Sequence, residues 1–258
     1  MTMNSGNIKT IIVDLDRTLL HSDLTISSYT VEVFRKCKAN GMRIIIATAR
    51  PLRRARQYCE LVDADAMVVS NGARLVCRNQ RVDYGISTQS ALRLLNALSY
   101  DSSLLITLET GDAAYSNMPI EDFETIISDN LVSIAESEGV LKFLVRLDGE
   151  ETLTTVKEAL TEDLYYTIAH GHLIQIMNRS ATKWSGIKAM LDLCGGTAAE
   201  AAYFGDDHDD IEPIKMCAMG IAVANSIDEV KNAADYIAGS NDTDGVARFI
   251  DQVILGRL

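Results

Sequence analysis

Positive charge is scarce in this chain. Its 24 lysines and arginines face 36 aspartates and glutamates, for a net charge of −12 and a pI near 4.8. That deficit excludes sequence-independent nucleic-acid binding, which needs a basic surface. It leaves room for a phosphorylated substrate, because a local site can be positive on an acidic protein. The five cysteines (Cys37, Cys59, Cys77, Cys194 and Cys217) are odd in number and scattered, with no C-x-x-C. Neither a disulfide framework nor a zinc site is expected, and a reducing cytoplasm is the default location. No apolar run approaches the roughly 20 residues of a membrane helix, so no membrane partner is expected. The opening MTMNSGNIKT has no apolar h-region, and no signal peptide is expected. Internal repeats, low-complexity tracts and long linkers are also missing. What is present is ordinary globular material, 47% hydrophobic and 23% charged. The 258 residues fit one large domain or two modest ones.

The apolar pattern organises the chain. IIVDL, residues 11–15, reads as a buried strand with Asp14 at its carboxyl end. A helical pattern over 28–40 stops at Gly41, a C′ glycine. RIIIAT is a second strand, a helix follows from Pro51, and MVVS is a third strand before an Asn71-Gly72 turn. Strands alternating with helices predict parallel β-α-β units. After about residue 82 the rhythm changes. Helices are predicted over 87–99, near 121–130 and over 151–161. LLITLE, AAYS, LKFLVRL, LYYTIA and HLIQIM read as strands, with turns at Gly111-Asp112 and His170-Gly171. From about 180 the β-α alternation returns. The prediction is an α/β protein with a Rossmann-like, doubly wound parallel-sheet core over 1–82 and 180–258. An inserted α+β cap domain occupies 83–179.

Four polar clusters follow predicted strands or open a helix. Asp14-Leu-Asp16 places two carboxylates pointing the same way at a strand end. Such a pair favours a cation, and one member can attack phosphorus while the other moves protons. A D-x-D alone equally fits a polar turn after a strand. Thr48, Ala49 and Arg50 follow the second strand, where a hydroxyl and main-chain N–H groups can hold a phosphate oxygen. A lone Thr48 also suits a helix N-cap, and a lone Arg50 a surface side chain. Lys183 opens a helix against the macrodipole, a conflict that an anion resolves; the plain alternative is a solvated lysine. Asp206, Asp207, Asp209 and Asp210 give four acids in five positions after strand AAYF. They suit Mg²⁺, a hard cation that takes oxygen ligands, or simply an acidic helix start. His208, with no second histidine or cysteine beside it, reads as an exposed polar residue.

Together and in this order, the clusters resemble the haloacid dehalogenase (HAD) superfamily, and within it the Cof-type phosphatases with a large α/β cap. Asp14 to Leu19 matches D-x-D-x-T-L, Thr48 to Pro51 matches T-G-R-P, and Ser70 to Ala73 is S-N-G-A. Gly205 to Asp210 meets G-D-x-x-N-D with Asp209 in place of asparagine, and the stretches 224–231 and 241–246 also resemble this subfamily. The resemblance implies a phosphatase that hydrolyses a small phosphorylated metabolite, such as a sugar phosphate. Asp14 would be the nucleophile and Asp16 the acid and base. Asp14, Thr48, Ala49, Arg50, Asn71 and Lys183 would bind the phosphate. Mg²⁺ would be held by Asp14, the main-chain carbonyl of Asp16, Asp206 and a supporting Asp210. Alternatives from the same family are a phosphosugar mutase or a regulatory homologue that binds without turnover. Glu109, Tyr115, Arg146, His170 and His172 are candidate specificity residues in the cap. Two positions depart from the pattern. Arg17 stands at a usual glycine, which stiffens the turn or adds positive charge. Asp209 stands at a usual asparagine, where it either turns toward the metal or caps the next helix and faces water.

Overall fold

The computed structural model describes residues 8–257 except 79, 100, 121–123 and 170. Two compact units emerge: Met1–Arg50, Arg54–Arg81 and Thr182–Leu258 in one, and Pro51–Arg53 with Val82–Ala181 in the other.

The first unit begins β1 (Thr10–Val13), α1 (Ser28–Ala39), β2 (Arg43–Ala47), α2 (Leu52–Leu61) and β3 (Ala66–Val69). Ser27 accepts a hydrogen bond from the Thr30 N–H and caps α1, which runs into the left-handed Gly41. Two strands that the sequence pattern did not mark follow: β4 (Arg74–Cys77), antiparallel to β3, and β5 (Gln80–Asp83) at the sheet edge. The short S-N-G turn joining β3 to β4 is what reverses the chain.

The second unit holds α3 (Thr88–Leu98), β6 (Ile106–Glu109), β7 (Ala114–Ser116), β8 (Ile126–Ile127), α4 (Leu131–Ser137), β9 (Lys142–Arg146), α5 (Glu150–Ala159), β10 (Leu164–Ala169) and β11 (Leu173–Asn178). Its six strands form one sheet, ordered β10-β11-β9-β6-β7-β8. Strand alternation sends Ile106, Leu108, Phe143, Val145, Ile174 and Ile176 into a core with α3, α4 and α5. One expectation is corrected here. The described part of 121–130 is not helical but contains β8, and the helix starts only at Leu131, because the Asn130 side chain accepts from the Ser133 N–H and sets the N-cap. Residues 121–123 of that expectation, and His170 of the predicted turn, lie outside the described residues.

The chain returns to the first unit through α6 (Lys183–Cys194), β12 (Ala201–Gly205), α7 (Ile211–Met216), β13 (Met219–Ala222), α8 (Asp228–Ala233), β14 (Tyr236–Ile237) and α9 (Gly245–Phe249). The eight-stranded sheet has the order β14-β13-β12-β1-β2-β3-β4-β5, parallel from β14 to β3. Its middle strands are apolar on both faces: Ile11, Ile12, Ile44, Ile45, Tyr203 and Phe204 are all fully buried. Each such side chain contributes about 1.5–3 kcal/mol by leaving water. The protein is thus α/β with a Rossmann-like parallel core and an inserted α+β domain. Successive connections run one way from β1 to β2 and the other way from β12, so the topological switch lies between β1 and β12. No helix among the described residues is long and apolar enough to cross a membrane.

Candidate active site

Asp14 follows β1 and Asp206 follows β12, so the two acids flank the switch point. The Asp14 N–H donates to the Phe204 carbonyl at 3.0 Å, which locks the end of β1 to its neighbour. Asp14, Asp206 and Asp210 are all buried, and one carboxylate oxygen from each lies within 4.8 Å of the others. Asp210 reaches this place by folding back over Gly205, where a Cβ would meet the Asp210 side chain at 2.5 Å. Its Oδ1 accepts from Lys183 Nζ and from the Tyr203 hydroxyl, both at 2.5 Å. Its Oδ2 accepts from the main-chain N–H groups of Asp206 and Asp207 at 2.8 and 3.1 Å.

Lys183 is not a solvated lysine. It is 4% exposed, and its ammonium also donates to Asp14 Oδ1 at 3.2 Å. Burial opposes its charge, but the carboxylates of Asp14, Asp209 and Asp210 outweigh burial and hold its pKa well above the usual lysine value. The helix that carries it is anchored by a reciprocal cap between Thr182 and Ser185. Gly72 lies against Thr182: with φ 94 and room for no Cβ, which would stand 2.2 Å from the Thr182 carbonyl oxygen, it lets the S-N-G turn approach the start of α6. Ser70 and Asn71 are also left-handed, at φ 51 and 57. Their N–H groups donate to the carbonyls of Arg50 and Thr48 at 2.9 and 3.2 Å, which brings the ends of β2 and β3 together.

The carboxylates outnumber the lysine, and their protonation equilibria show it. Burial raises Asp14 well above the usual carboxyl value, helped by the charges of Asp210, Asp206 and Asp209 and opposed by Lys183. Burial likewise pushes Asp206 to about 7, against the hydrogen bond it accepts from the buried Thr18 hydroxyl at 2.8 Å. Such a crowd of hard oxygen donors with too little positive charge is what a divalent cation fits.

Asp16 points elsewhere. Arg50 grips both of its carboxylate oxygens at 2.7 and 2.5 Å, and the guanidinium also stacks 5.1 Å over the Tyr58 ring. Thr48 is buried and its hydroxyl accepts from the Arg50 N–H at 3.2 Å, making a local turn. Arg17 sits beside the acidic cluster. It is left-handed at φ 56, and its guanidinium lies 3.8 Å from Asp206 while donating to the Asn225 carbonyl at 3.3 Å. Asp209 is exposed, as a residue facing water would be, but it does not cap the helix. It is not among the three clustered carboxylates, and Asp207, accepting from the His208 N–H at 2.7 Å, does the capping. Asp209 instead accepts from Asn71 Nδ2 at 2.9 Å and lies 3.3 Å from Lys183 Nζ. Sequence reasoning gave no role to Thr18, although it is the threonine of D-x-D-x-T-L, and missed Tyr203, whose only signal was a hydroxyl in an apolar strand. His208 is exposed, as expected.

A family model for haloacid dehalogenase-like hydrolases matches residues 11–250. The chain belongs to that family. It is an enzyme of the HAD phosphatase type. Among similar proteins, the 5-amino-6-(5-phospho-D-ribitylamino)uracil phosphatase YitU of Bacillus subtilis is 26% identical over 94% of this chain and 96% of its own length. The Escherichia coli phosphatase of the same name, YbjI, is 26% identical over 96% and 97%. Among solved structures, a haloacid dehalogenase-like hydrolase from Bacteroides thetaiotaomicron superposes with a TM-score of 0.86 at 21% identity, covering 95% of this chain and 99% of that one. A sugar phosphatase of HAD subclass IIB superposes at 0.78 and 21% identity, covering 97% and 100%. The core of this HAD enzyme therefore carries the catalytic-site candidates, while the specificity candidates lie in the inserted domain. There Glu109 is buried with an Oε2 that has no hydrogen-bond partner among the described residues. Tyr115 donates to Glu138 at 2.5 Å, and the exposed Arg146 pairs with Asp148 at 2.7 Å. His172 is exposed, and His170 lies outside the described residues.

Proposed function

We propose that this enzyme is a Mg²⁺-dependent phosphomonoesterase that hydrolyses a small phosphorylated metabolite through an aspartyl phosphate on Asp14. The observation that carries this reading is the buried Asp14 carboxylate, held at the carboxyl end of β1 with Lys183 Nζ 3.2 Å away and Asp206 and Asp210 beside it. Asp14 attacks phosphorus, an O–P bond forms, and the bond to the leaving oxygen breaks. Asp16 gives that oxygen a proton, then takes one from the water that hydrolyses the aspartyl phosphate. Because Arg50 holds both Asp16 oxygens, Asp16 turns from Arg50 toward the leaving group for this step. Lys183 and the Thr48 hydroxyl bind the transferring group, assisted by Ala49, Arg50 and Asn71. Asp14, Asp206, the Asp16 main-chain carbonyl and a supporting Asp210 would hold Mg²⁺. When bound, Mg²⁺ supplies the positive charge that lets carboxylates and a phosphate dianion share one site. Asp210 contributes chiefly through Lys183, since each of its oxygens already accepts two hydrogen bonds.

The inserted domain, residues 83–179, is read as the cap that selects the leaving group. Strand alternation puts Thr107, Glu109 and Lys142 on the sheet face opposite the apolar core, and all three are buried polar residues. A polar face with an unpaired carboxylate oxygen suits a leaving group rich in hydroxyl or amino donors. The names of the relatives, a sugar phosphatase and a phosphoribitylaminouracil phosphatase, support a leaving group of that kind. The five free cysteines suit a reducing, cytoplasmic setting. Phosphate release from a panel of phosphorylated sugars and polyols, with and without Mg²⁺, tests the reading. Release that requires Mg²⁺ supports it, and failure on every member, p-nitrophenyl phosphate included, refutes it.

A further inference from the structure

Asp209 places a carboxylate on two of the groups assigned above to phosphate. One oxygen accepts from Asn71 Nδ2 at 2.9 Å, and the other lies 3.3 Å from Lys183 Nζ. A carboxylate and a phosphoryl group offer the same thing to such donors, anionic oxygens that only accept. They cannot both take the same hydrogen bonds, and side by side they repel. The Asp209 side chain is 37% exposed, whereas those of Lys183 and Asp210 are 3% and 0% exposed. Asp209 therefore has water to turn into, and Lys183 keeps its contacts to Asp14 and Asp210 when it does.

We infer that Asp209 is an internal stand-in for the phosphoryl group. It docks on Asn71 and Lys183 in the empty enzyme and is displaced when a phosphate enters. This inference rests on the phosphatase reading and adds a consequence to it: the side chain lowers affinity for the phosphate of both substrate and product, and so favours release of inorganic phosphate. A competing structural role, in which Asp209 supports Asn71 and Lys183, makes the opposite prediction. Removing a competitor tightens phosphate binding, and removing a support loosens it.

The test compares wild type with Asp209→Asn and Asp209→Ala at Mg²⁺ concentrations that saturate each protein. Three quantities are read: KM for p-nitrophenyl phosphate, Ki for inorganic phosphate, and the rise in thermal midpoint that inorganic phosphate produces. The contact is a partly exposed ion pair, so KM and Ki should each fall by about threefold to fivefold in Asp209→Asn. The phosphate-induced thermal shift should grow, and Asp209→Ala should move in the same direction. Unchanged Ki and thermal shift overturn the inference, and a raised Ki in both variants assigns Asp209 to support instead. Either result leaves the phosphatase reading standing. A wild type that neither releases nor binds phosphate defeats the phosphatase reading, and the stand-in role goes with it. Thermal midpoints without phosphate establish that each variant is folded.

Discussion

Lys183 donates to Asp210 at 2.5 Å with both side chains buried, and Asp210 spends its other lone pairs on Tyr203 and on the N–H groups of Asp206 and Asp207. One aspartate thus ties the first residue of α6 to the loop after β12. Removing one member of a buried, hydrogen-bonded ion pair leaves the other charge stranded, at a cost of about 3–5 kcal/mol. Asp210→Ala should lose stability on that scale. Tyr203→Phe, which removes one hydroxyl, should lose about 1–3 kcal/mol. Urea unfolding of both variants checks this, and an Asp210→Ala midpoint equal to wild type would contradict the tie.

Asp14→Asn is nearly isosteric, but an amide is no useful nucleophile. Turnover should fall by more than about 10³-fold while the fold persists, as expected when a covalent nucleophile is removed. Steady-state kinetics with a folded, purified variant decide the point. A tenth of wild-type activity remaining would falsify the role given to Asp14.

The raised carboxyl groups give a signed pH dependence. Burial pushes Asp206 to about 7 and raises Asp14, so the folded state binds these protons more tightly than the unfolded chain does. Their contribution to stability is present below about pH 4 and is lost as pH rises through about 7. Asp244, where hydrogen bonds from Ser27, His21 and Thr30 outweigh burial and lower the pKa, acts the other way and only in acid. Metal-free protein should therefore be less stable at about pH 8 than at about pH 6. Mg²⁺ needs ionised carboxylates and should stabilise more at the higher pH. Urea midpoints in EDTA and in Mg²⁺ at both pH values test this, and equal Mg²⁺ stabilisation at the two would detach the cluster from the metal. Activity should vanish in EDTA and return with Mg²⁺.

Gly72→Ala tests how the turn after β3 positions α6. A Cβ would stand 2.2 Å from the Thr182 carbonyl oxygen, at a residue whose φ is 94. Neither the conformation nor the backbone contact relaxes cheaply, and a loss of roughly 1–3 kcal/mol is expected. Because Lys183 follows Thr182, kcat should fall as well. A variant with wild-type stability and kcat would show that α6 does not depend on this approach.

The local pattern of the chain determined most of the architecture. Paired runs such as IIVDL and RIIIAT are apolar on both faces, which only a buried parallel sheet accommodates, and Asp14, Thr48 and Asp206 follow such runs. The motifs in their order along the chain also carried the resemblance to the family. The antiparallel strand β4 and the edge strand β5 were not legible, because such short strands are set by the turn before them rather than by a hydrophobic pattern of their own. The contacts between distant residues also belonged to the tertiary structure. No pattern in the chain shows that Arg50 would hold Asp16, that Tyr203 would reach Asp210, or that Asp209 would settle on Asn71 and Lys183. A charge is written in the sequence, but its partner depends on which loops the fold brings within a hydrogen bond. In a buried site with more carboxylates than lysines, that proximity decides which acids are paired and which are left for a cation and a phosphate.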